Sequence, residues 1–525
     1  MDGKDLKMNL GKLVTKAVKK YGNRTAIVFD GKEYSYLQFY GRVNRLANGL
    51  LRLGVKKGDS VAFLGLNSSQ YMEGDFAMAK CGIIRVPLRS RLTPGELLHI
   101  MNDSQANTLI MEERFVNDIE TVKKDLRYVK NYIILSGTRE GMINYEDLLS
   151  NASTDEPDID VFDDDVYGLF YTTGTTGKPK GAMQTHKNQL WVVRSIQLDV
   201  CRVAEEDVLL TSLPLMHAPI ILVLPFFING ARHIILPGFN AKTVLETIER
   251  DRVTTMFMVP TVIYILLEYP DLKRYSLSSI KTILYGGSPM VPERLMEAIQ
   301  VFGNVFAQAY GLAEAFMPIT LLTKEQHLDA LARRELRILS SAGKESTFEE
   351  VKILNEKGEP VGTDEPGEIV IRGDNVMKGY WNKPEATAEA IQEGWFYTGD
   401  IGMRDKEEFV YIVDRKHEMI ITGGLNVYPK EVEEVLYRHP AVFEAVVIGV
   451  PHSIWGESIK AVVALKKGSQ TSEAELIEFC KGKIADYKIP KSVDFVESIP
   501  KGAAEKILRK EVKEKYWKGF ERKVH

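Results

Sequence analysis

The feature that most constrains this chain is the eleven-residue segment Tyr171–Gly181, with the sequence YTTGTTGKPKG. It directly follows the apolar run Val166–Phe170, which predicts a buried strand. Glycines let backbone N–H groups approach an anion, hydroxyls add donors, and lysines add positive charge. The segment is not a Walker A loop, because two residues separate Gly174 from Gly177 and Pro179 would block the helix that such a loop begins. The pattern favours a strand followed by a loop that wraps a polyphosphate, the alternative being a flexible surface turn.

Length and composition indicate a multidomain globular protein that acts on small molecules. A chain of 525 residues is too long for one core, and its net charge of −4 predicts no nucleic-acid partner. The three cysteines, Cys81, Cys201 and Cys480, have no metal-binding spacing. We expect each to be a buried apolar side chain in a reducing, cytoplasmic compartment. The apolar run Ala218–Ile228 is too short to span a bilayer, so we expect no transmembrane segment.

Short apolar runs alternate with amphipathic stretches along most of the chain, which predicts an α/β fold. Strands are expected at 60–66, 108–111, 166–170, 208–211, 233–236, 255–259 and 282–285, and helices at 36–53 and 69–80. The acidic stretch Asp155–Asp165 is expected to be a solvated loop. The sequence predicts a large N-terminal domain of parallel-type sheets with flanking helices, residues 1–414. A small mobile α+β domain, residues 415–525, would follow it.

The segment Tyr171–Gly181 resembles the phosphate-binding signature of the adenylate-forming superfamily, which includes acyl-CoA synthetases, luciferases and the adenylation domains of peptide synthetases. Further motifs of that family follow in order at Tyr285–Met290, Ala307–Glu314, Met377–Glu385, Trp395–Asp400, Asp414–Arg415 and Ile499–Arg509. The resemblance spans nearly the whole chain, from Tyr36 to Arg509. It implies an AMP-forming acyl-CoA synthetase that uses ATP, Mg²⁺ and CoA.

The resemblance also implies roles in nucleotide binding. Tyr310 would stack on adenine, Asp400 would accept the ribose hydroxyls, and Glu314 with Thr173 would hold Mg²⁺. Ala313 stands where relatives carry threonine, which predicts the loss of one contact to the adenylate, about 1–3 kcal/mol. The full predicted ATP and AMP set is Thr172, Thr173, Gly174, Thr175, Thr176, Gly177, Lys178, Lys180, Gly287, Ser288, Pro289, Gln308, Ala309, Tyr310, Gly311, Leu312, Ala313, Asp400, Ile412, Arg415 and Asn426.

The catalytic residues implied by the resemblance are Lys506, Glu314 and His217. The ammonium of Lys506 would neutralise charge as the carboxylate meets the α-phosphate, although Glu505 precedes it where relatives usually have glycine. Lys416 and His417 would absorb a rotation between the domains. The loop containing Gly423 and Gly424 resembles the one that lines the CoA pantetheine tunnel.

The acid itself is only coarsely predicted. The acyl pocket is expected to be formed by His217, Ala218, Val259, Thr261, Gly286 and Ala309, a set that favours an apolar acid. Gly311 stands where acetate-specific relatives carry tryptophan, which predicts an open pocket floor and favours a medium- or long-chain fatty acid. An aromatic or alicyclic acid is the alternative substrate, and an acyl acceptor other than CoA is also open. The chain could instead be a binding protein without activity. A homodimer is an open possibility for its oligomeric state.

Overall fold

A computed structural model of the chain describes residues 8–172, 178–216, 218–288, 290–415, 418–422, 425–452, 455–501 and 507–517. In chain order, its strands are β1 (Thr25–Phe29), β2 (Lys32–Ser35), β3 (Ser60–Leu64), β4 (Ile84–Leu88), β5 (Thr108–Met111), β6 (Asn131–Ile134), β7 (Ile143–Asn144), β8 (Val166–Thr172), β9 (Lys180–Thr185), β10 (Val208–Thr211), β11 (Arg232–Ile235), β12 (Thr255–Met258), β13 (Thr282–Gly286), β14 (Phe306–Tyr310), β15 (Thr320–Leu322), β16 (Lys344–Glu345), β17 (Glu350–Leu354), β18 (Gly367–Arg372), β19 (Ile391–Gln392), β20 (Trp395–Arg404), β21 (Val410–Arg415), β22 (Ile420–Thr422), β23 (Leu425–Val427), β24 (Val442–His452), β25 (Gly456–Leu465) and β26 (Ser492–Val496).

Its α-helices are α1 (Leu10–Tyr21), α2 (Tyr36–Arg52), α3 (Ser69–Cys81), α4 (Pro94–Asp103), α5 (Val116–Val122), α6 (Tyr145–Ser150), α7 (His186–Ser195), α8 (Ile220–Ile228), α9 (Ala241–Asp251), α10 (Pro260–Leu267), α11 (Pro292–Phe302), α12 (Lys324–Arg333), α13 (Leu336–Leu339), α14 (Pro384–Ala390), α15 (Pro429–Tyr437), α16 (Glu473–Cys480) and α17 (Arg509–Trp517). Among the described residues, no helix is both long and apolar enough to cross a membrane.

Two mainly parallel sheets form the N-terminal part of the molecule. One has the strand order β16-β15-β14-β13-β12-β10-β11-β1-β2, and the other β7-β6-β5-β3-β4-β8-β9. Helices α8 to α11 connect consecutive strands from β10 to β14, because parallel neighbours require a crossover connection. Strands β3, β4, β10, β12, β13 and β14 are buried along their whole length, which accounts for the predominance of apolar residues in them.

A buried polar cluster fixes strand β4 against α3 and β8. The guanidinium of Arg85 binds the Asp75 carboxylate and the hydroxyls of Tyr71 and Tyr167, so its charge is compensated inside the core. Gly168 lies opposite Arg85 in the β4–β8 pair. A β carbon at position 168 would lie 2.6 Å from Cγ of Arg85, so only glycine leaves room for that side chain.

The last third of the chain forms two smaller sheets. One has the order β17-β18-β20-β19 with β21 paired to β20, and the other has the order β23-β22-β25-β24 with β26 paired to β25. The second sheet, with α15, α16 and α17, is the small α+β part that the sequence predicted. The fold class is therefore confirmed. A domain boundary near residue 415 stays a prediction, and Lys416 and His417 lie outside the described residues.

Most predicted elements are present within a few residues of their expected bounds, and 155–165 contains no helix or strand. Cys81 and Cys480 are buried as expected, whereas Cys201 is only partly buried, so that part of the cysteine prediction is wrong. Burial raises the pKa of Cys81 to about 12, which keeps its thiol protonated and unreactive.

Candidate active site

The predicted phosphate loop closes the hairpin formed by β8 and β9. Thr172 at the end of β8 is directly opposite Lys180 at the start of β9, so both ends of the loop are fixed by the sheet. The segment after β4 contacts one end of the loop, and helix α4 contacts the other. Arg89 donates to the Tyr171 carbonyl at 3.2 Å, and Nε2 of His99 donates to the Pro179 carbonyl at 3.0 Å.

A carboxylate faces the start of this loop. Oε1 of Glu314 accepts hydrogen bonds from the Thr172 hydroxyl at 3.1 Å and the Tyr380 hydroxyl at 3.0 Å. Oε2 of Glu314 forms no hydrogen bond within the described part of the chain, which suits a ligand for a hard cation. Nζ of Lys180 lies 4.6 Å from the centre of the Tyr380 ring. Burial, reinforced by the Glu314 carboxylate, raises the pKa of Tyr380, so its hydroxyl remains a donor at neutral pH.

Tyr380 is a site residue to which sequence analysis assigned no role. Its segment continues the sheet beside β9, with a bridge between Ala182 and Tyr380 and a hydrogen bond from the Trp381 amide to the Gly181 carbonyl at 2.8 Å. The sequence did contain a signal for a role of Tyr380, because this residue belongs to the family motif Met377–Glu385. Its contact with Glu314 depends on this strand pairing, which the motif alone does not reveal.

The residues predicted to hold adenosine also meet. The Tyr310 hydroxyl donates to Oδ2 of Asp400 at 2.6 Å, and these residues are only 7% and 3% exposed. Tyr310 ends strand β14, whereas Asp400 lies within β20 opposite Arg415 of β21. Two strands from different sheets therefore join an aromatic ring to a carboxylate, a combination that suits a nucleoside.

The ends of β13 and β14 form a narrow surface next to this pair. Gly286 lies opposite Ala309, and a β carbon on Gly286 would lie 2.3 Å from the Ala309 carbonyl oxygen. Gly287 follows with φ of +82°, a conformation that glycine adopts without strain. Behind this surface, the Tyr285 hydroxyl donates to Nε2 of His327 at 3.0 Å. Burial lowers the pKa of His327 to about 4, so the ring is neutral and accepts that bond.

The prediction that Gly311 leaves open space at the floor of the acyl pocket is wrong. A β carbon on Gly311 would lie 2.5 Å from the backbone nitrogen of Met317 and 2.6 Å from its Cβ. Phe316 is also buried there and packs edge-on against Phe170, with ring centroids 4.9 Å apart. The space that a β carbon at position 311 would fill is therefore occupied by the segment that follows Glu314.

Beyond β21, a partly buried lysine links the small C-terminal part to β21. Lys430 at the start of α15 donates from Nζ to the Ile412 carbonyl, and its amide donates to Oδ2 of Asp414 at 3.1 Å. Burial lowers the pKa of Lys430. Asn426, predicted to approach the nucleotide, lies in β23 opposite Ile421 of β22.

For several other predicted residues, the structure gives their burial or their strand position but no contact within the described part of the site. Gln308 is buried and lies opposite Tyr285, and Val259 is buried before α10. Ala218, Thr261, Ser288, Lys178, Leu312 and Ala313 are partly or fully exposed. The predicted residues that lie outside the described part of the chain are Thr173, Gly174, Thr175, Thr176, Gly177, His217, Pro289, Gly423, Gly424 and Lys506.

Comparisons with known proteins identify the family to which the chain belongs. The family model of the AMP-binding enzymes matches residues 14–381, and that of the AMP-binding enzyme C-terminal domain matches residues 431–506. The chain is 38% identical to a feruloyl-CoA synthase of an Amycolatopsis species, over 97% of this chain and 99% of the relative. It is 33% identical to a medium/long-chain-fatty-acid–CoA ligase of Mycobacterium tuberculosis, over 98% and 91% of the two chains.

A solved structure of similar fold is the anthranilate CoA ligase AuaEII in complex with anthranoyl-AMP. Its TM-score is 0.89 at 26% identity, and the match covers 97% of this chain and 98% of that one. The chain therefore belongs to the AMP-binding enzyme family, and its resemblance to the adenylate-forming superfamily is confirmed. Within that family it is an acyl-CoA synthetase, an AMP-forming acid–thiol ligase.

Proposed function

We propose that this protein uses ATP and Mg²⁺ to activate a compact apolar acid, preferentially an aryl carboxylic acid, and transfers the acyl group to CoA. The observation that carries the assignment of the ATP site is the contact of Glu314 with Thr172 and Tyr380 beside the phosphate loop. A carboxylate that has one oxygen held by two donors beside the start of the loop would suit a hard cation as a ligand. Tyr310 and Asp400 supply the adjoining nucleoside contacts.

In the first half-reaction, an oxygen of the substrate carboxylate bonds to the α-phosphorus of ATP. The bond from that phosphorus to the oxygen bridging to the β-phosphate breaks, and pyrophosphate leaves with that electron pair. Glu314 and Thr173 would hold Mg²⁺, which neutralises phosphate charge when bound. Lys506 would place its ammonium against the same oxyanions, and Asp400 would fix the ribose.

In the second half-reaction, the CoA thiolate attacks the acyl carbon of the adenylate. A carbon–sulfur bond forms, the carbon–oxygen bond to AMP breaks, and AMP leaves. Gly423 and Gly424 would line the path of the pantetheine arm after the domain rotates about Lys416 and His417. Adenylation thus replaces a poor leaving group by a good one, and rotation lets one site serve both steps.

Two observations support an aryl acid over a long aliphatic chain. Atoms of Met317 crowd Gly311, which removes the sequence feature that favoured a long-chain acid. The relatives also include enzymes for compact aromatic acids, namely a feruloyl-CoA synthase at 38% identity and the anthranilate CoA ligase of similar structure. The apolar character of Val259 and Ala309 at the predicted wall fits either type of acid.

A medium- or long-chain fatty acid is the second candidate. It is supported by the fatty-acid–CoA ligase of Mycobacterium tuberculosis, which matches 98% of this chain. The two candidates predict opposite chain-length profiles. Aryl specificity predicts high activity with ferulate or anthranilate and weak activity with palmitate, whereas fatty-acid specificity predicts activity that rises with each added methylene, by about 0.8 kcal/mol of binding per group.

The test measures pyrophosphate release and acyl-CoA formation with acetate, octanoate, palmitate, ferulate, indoleacetate and anthranilate, each with and without CoA. A free amine replaces CoA in a third series, to detect an acceptor other than CoA. We expect an aryl acid to give the highest kcat/KM and acyl-CoA to form only with CoA present. Highest activity with palmitate would refute the aryl assignment, and the absence of pyrophosphate release with every acid would argue for a binding protein without activity.

A further inference from the structure

Two arginines four residues apart have opposite environments at strand β4. Arg85 is buried and pairs with the Asp75 carboxylate and two tyrosine hydroxyls. Arg89, just beyond the carboxyl end of β4, donates to one backbone carbonyl, that of Tyr171. Across the described residues Arg89 forms no ion pair, so its charge is not compensated in the way that Arg85 is.

The carboxylate of Glu96 acts on Arg89 electrostatically but, in the part of the chain that the structure describes, forms no ion pair with it. Glu96 forms the capping box of α4, where Oε2 accepts from the Thr93 amide at 2.8 Å and the Thr93 hydroxyl at 2.9 Å. The adjoining loop residues 173–177 are threonines and glycines and contribute no acid. Burial lowers the pKa of Arg89, with Glu96 acting in the opposite direction, yet a guanidinium stays protonated in proteins. A partly buried cation without a direct ion pair is stabilised when a bound anion compensates its charge.

The position of Arg89 indicates which anion that is. The carbonyl to which it donates belongs to Tyr171, the residue before Thr172, where the predicted phosphate loop begins. Helix α4, which follows that connection, reaches the far end of the loop through the hydrogen bond from His99 to the Pro179 carbonyl. Lys178 and Lys180 add positive charge at that end. The loop is thus flanked by cations, and Arg89 is the planar, fork-shaped one among them.

We infer that Arg89 is a phosphate-binding residue of this enzyme. One N–H of its guanidinium is engaged by the Tyr171 carbonyl, and the others suit the oxygens of a phosphate group. The favoured source is the β- and γ-phosphates of ATP, which leave as pyrophosphate. The phosphates of CoA present the same chemistry and are the other source. This inference rests on the proposed function, because it assumes that ATP binds at the Tyr171–Gly181 loop.

The experiment compares the wild type with three variants of the full chain. Arg89→Met keeps the length of the side chain without its charge, and Arg89→Lys keeps the charge without the fork. Arg274→Met removes one positive charge at a remote site whose side chain is 81% exposed. Calorimetry and thermal melts measure binding of Mg·ATP, pyrophosphate, AMP, CoA and CoA lacking its 3′-phosphate.

For Arg89→Met we expect affinity for ATP and pyrophosphate to fall by about tenfold or more, while affinity for AMP changes by less than about twofold. The melting temperature of the unliganded protein should not fall, because a poorly compensated charge has been removed. Arg89→Lys should retain part of the affinity, and Arg274→Met should behave as the wild type. If the affinity falls only for CoA, and not for CoA lacking its 3′-phosphate, Arg89 is still a phosphate-binding residue and its ligand is the 3′-phosphate of CoA.

Two results would overturn the inference. One is unchanged affinity of Arg89→Met for ATP, pyrophosphate and CoA alike, which would leave the proposed function intact. The other is an equal fall for ATP and AMP together with a lower melting temperature of the free protein, which would assign Arg89 a purely structural role. A wild type that binds neither ATP nor pyrophosphate would refute the proposed function itself, and the inference with it.

Discussion

The contact between Tyr310 and Asp400 gives the sharpest test of the nucleoside site. Tyr310→Phe keeps an aromatic ring for stacking and removes only the hydroxyl that donates to Oδ2 of Asp400 at 2.6 Å. Because Asp400 is 3% exposed, water does not readily replace the lost donor. The substitution therefore isolates the orientation of the carboxylate from the stacking of the adenine.

The size of the effect follows from the kind of hydrogen bond. A bond to a charged group contributes about 1.5–3 kcal/mol to stability, and ATP binding loses the part of that free energy that is needed to orient Asp400. A loss of 1.5 kcal/mol corresponds to slightly more than about tenfold in affinity. We expect Tyr310→Phe to raise the KM for ATP by about tenfold and to lower stability by about 1–3 kcal/mol.

The assay compares ATP with 2′-deoxy-ATP in pyrophosphate release. If Asp400 accepts both ribose hydroxyls, the wild type should prefer ATP by about tenfold, and Tyr310→Phe should lose most of that preference. Asp400→Asn and the double variant complete a cycle that measures the coupling of the two side chains. The coupling should be positive and of the order of 1 kcal/mol or more.

A matched control separates this effect from loss of stability. Tyr36→Phe also removes a buried hydroxyl, one that donates to the carbonyls of Phe227 and Ala231 in the N-terminal core. Tyr36→Phe should lower the stability of the protein and leave its preference for ATP over 2′-deoxy-ATP in pyrophosphate release unchanged. The reasoning fails if Tyr310→Phe also leaves that ratio unchanged, or if Tyr36→Phe alters it to the same extent.

Three further variants test other parts of the molecule. Lys506→Ala should abolish adenylation and spare thioester formation from supplied acyl-AMP, because the lysine would serve only the first step; adenylation at the wild-type rate would exclude it. Tyr380→Phe should raise the Mg²⁺ concentration for half-maximal pyrophosphate release severalfold, since the Glu314 carboxylate loses a donor at 3.0 Å, and an unchanged Mg²⁺ dependence would contradict the proposed metal site. Glu349 is 4% exposed, and burial raises its pKa to about 9. The folded state therefore binds an extra proton between about pH 4.5 and 9, and its stability falls as the pH rises through that window. Glu349→Gln should accordingly gain up to about 4 kcal/mol relative to the wild type between pH 5.5 and 8.5, and melts that show a pH-independent difference would refute this.

Periodicity predicted the interior strands well and the ends of long hairpins poorly. Strand β10 has the expected bounds because an apolar run is enclosed by polar neighbours. Strand β8 extends two residues beyond the predicted 166–170, since its pairing with β9 continues as far as Thr172 and Lys180. Backbone pairing there does not require apolar side chains, so no hydrophobic pattern marks the end.

The candidate site was predictable in its motifs and not in its contacts. The motifs named Tyr310 and Asp400 separately, but their hydrogen bond depends on two sheets that meet in space. The interpretation of Gly311 failed for a related reason. A missing side chain predicts space only if no other residue fills it, and Met317, six residues later, does so. Arg89 belongs to none of the sequence motifs, and only its environment in the structure distinguishes it from Arg85.

The fold also explains why the nucleotide site was easier to predict than the acid. Arg89, Thr172, Gly286 and Tyr310 all lie at or just beyond the carboxyl ends of strands in the two N-terminal sheets. Ligands of open α/β sheets bind at this edge, in the crevice outside the carboxyl ends of the strands, where the loops are free to vary in sequence. Phosphate and adenosine contacts fall in short motifs next to the strand ends, so they can be read from sequence. The acyl contacts depend on how later segments pack against those ends, as Met317 does against Gly311. Relatives named for feruloyl and fatty-acid substrates can therefore share this framework and differ in the acid, because a change in packing beyond the strands alters the pocket and leaves the nucleotide site in place.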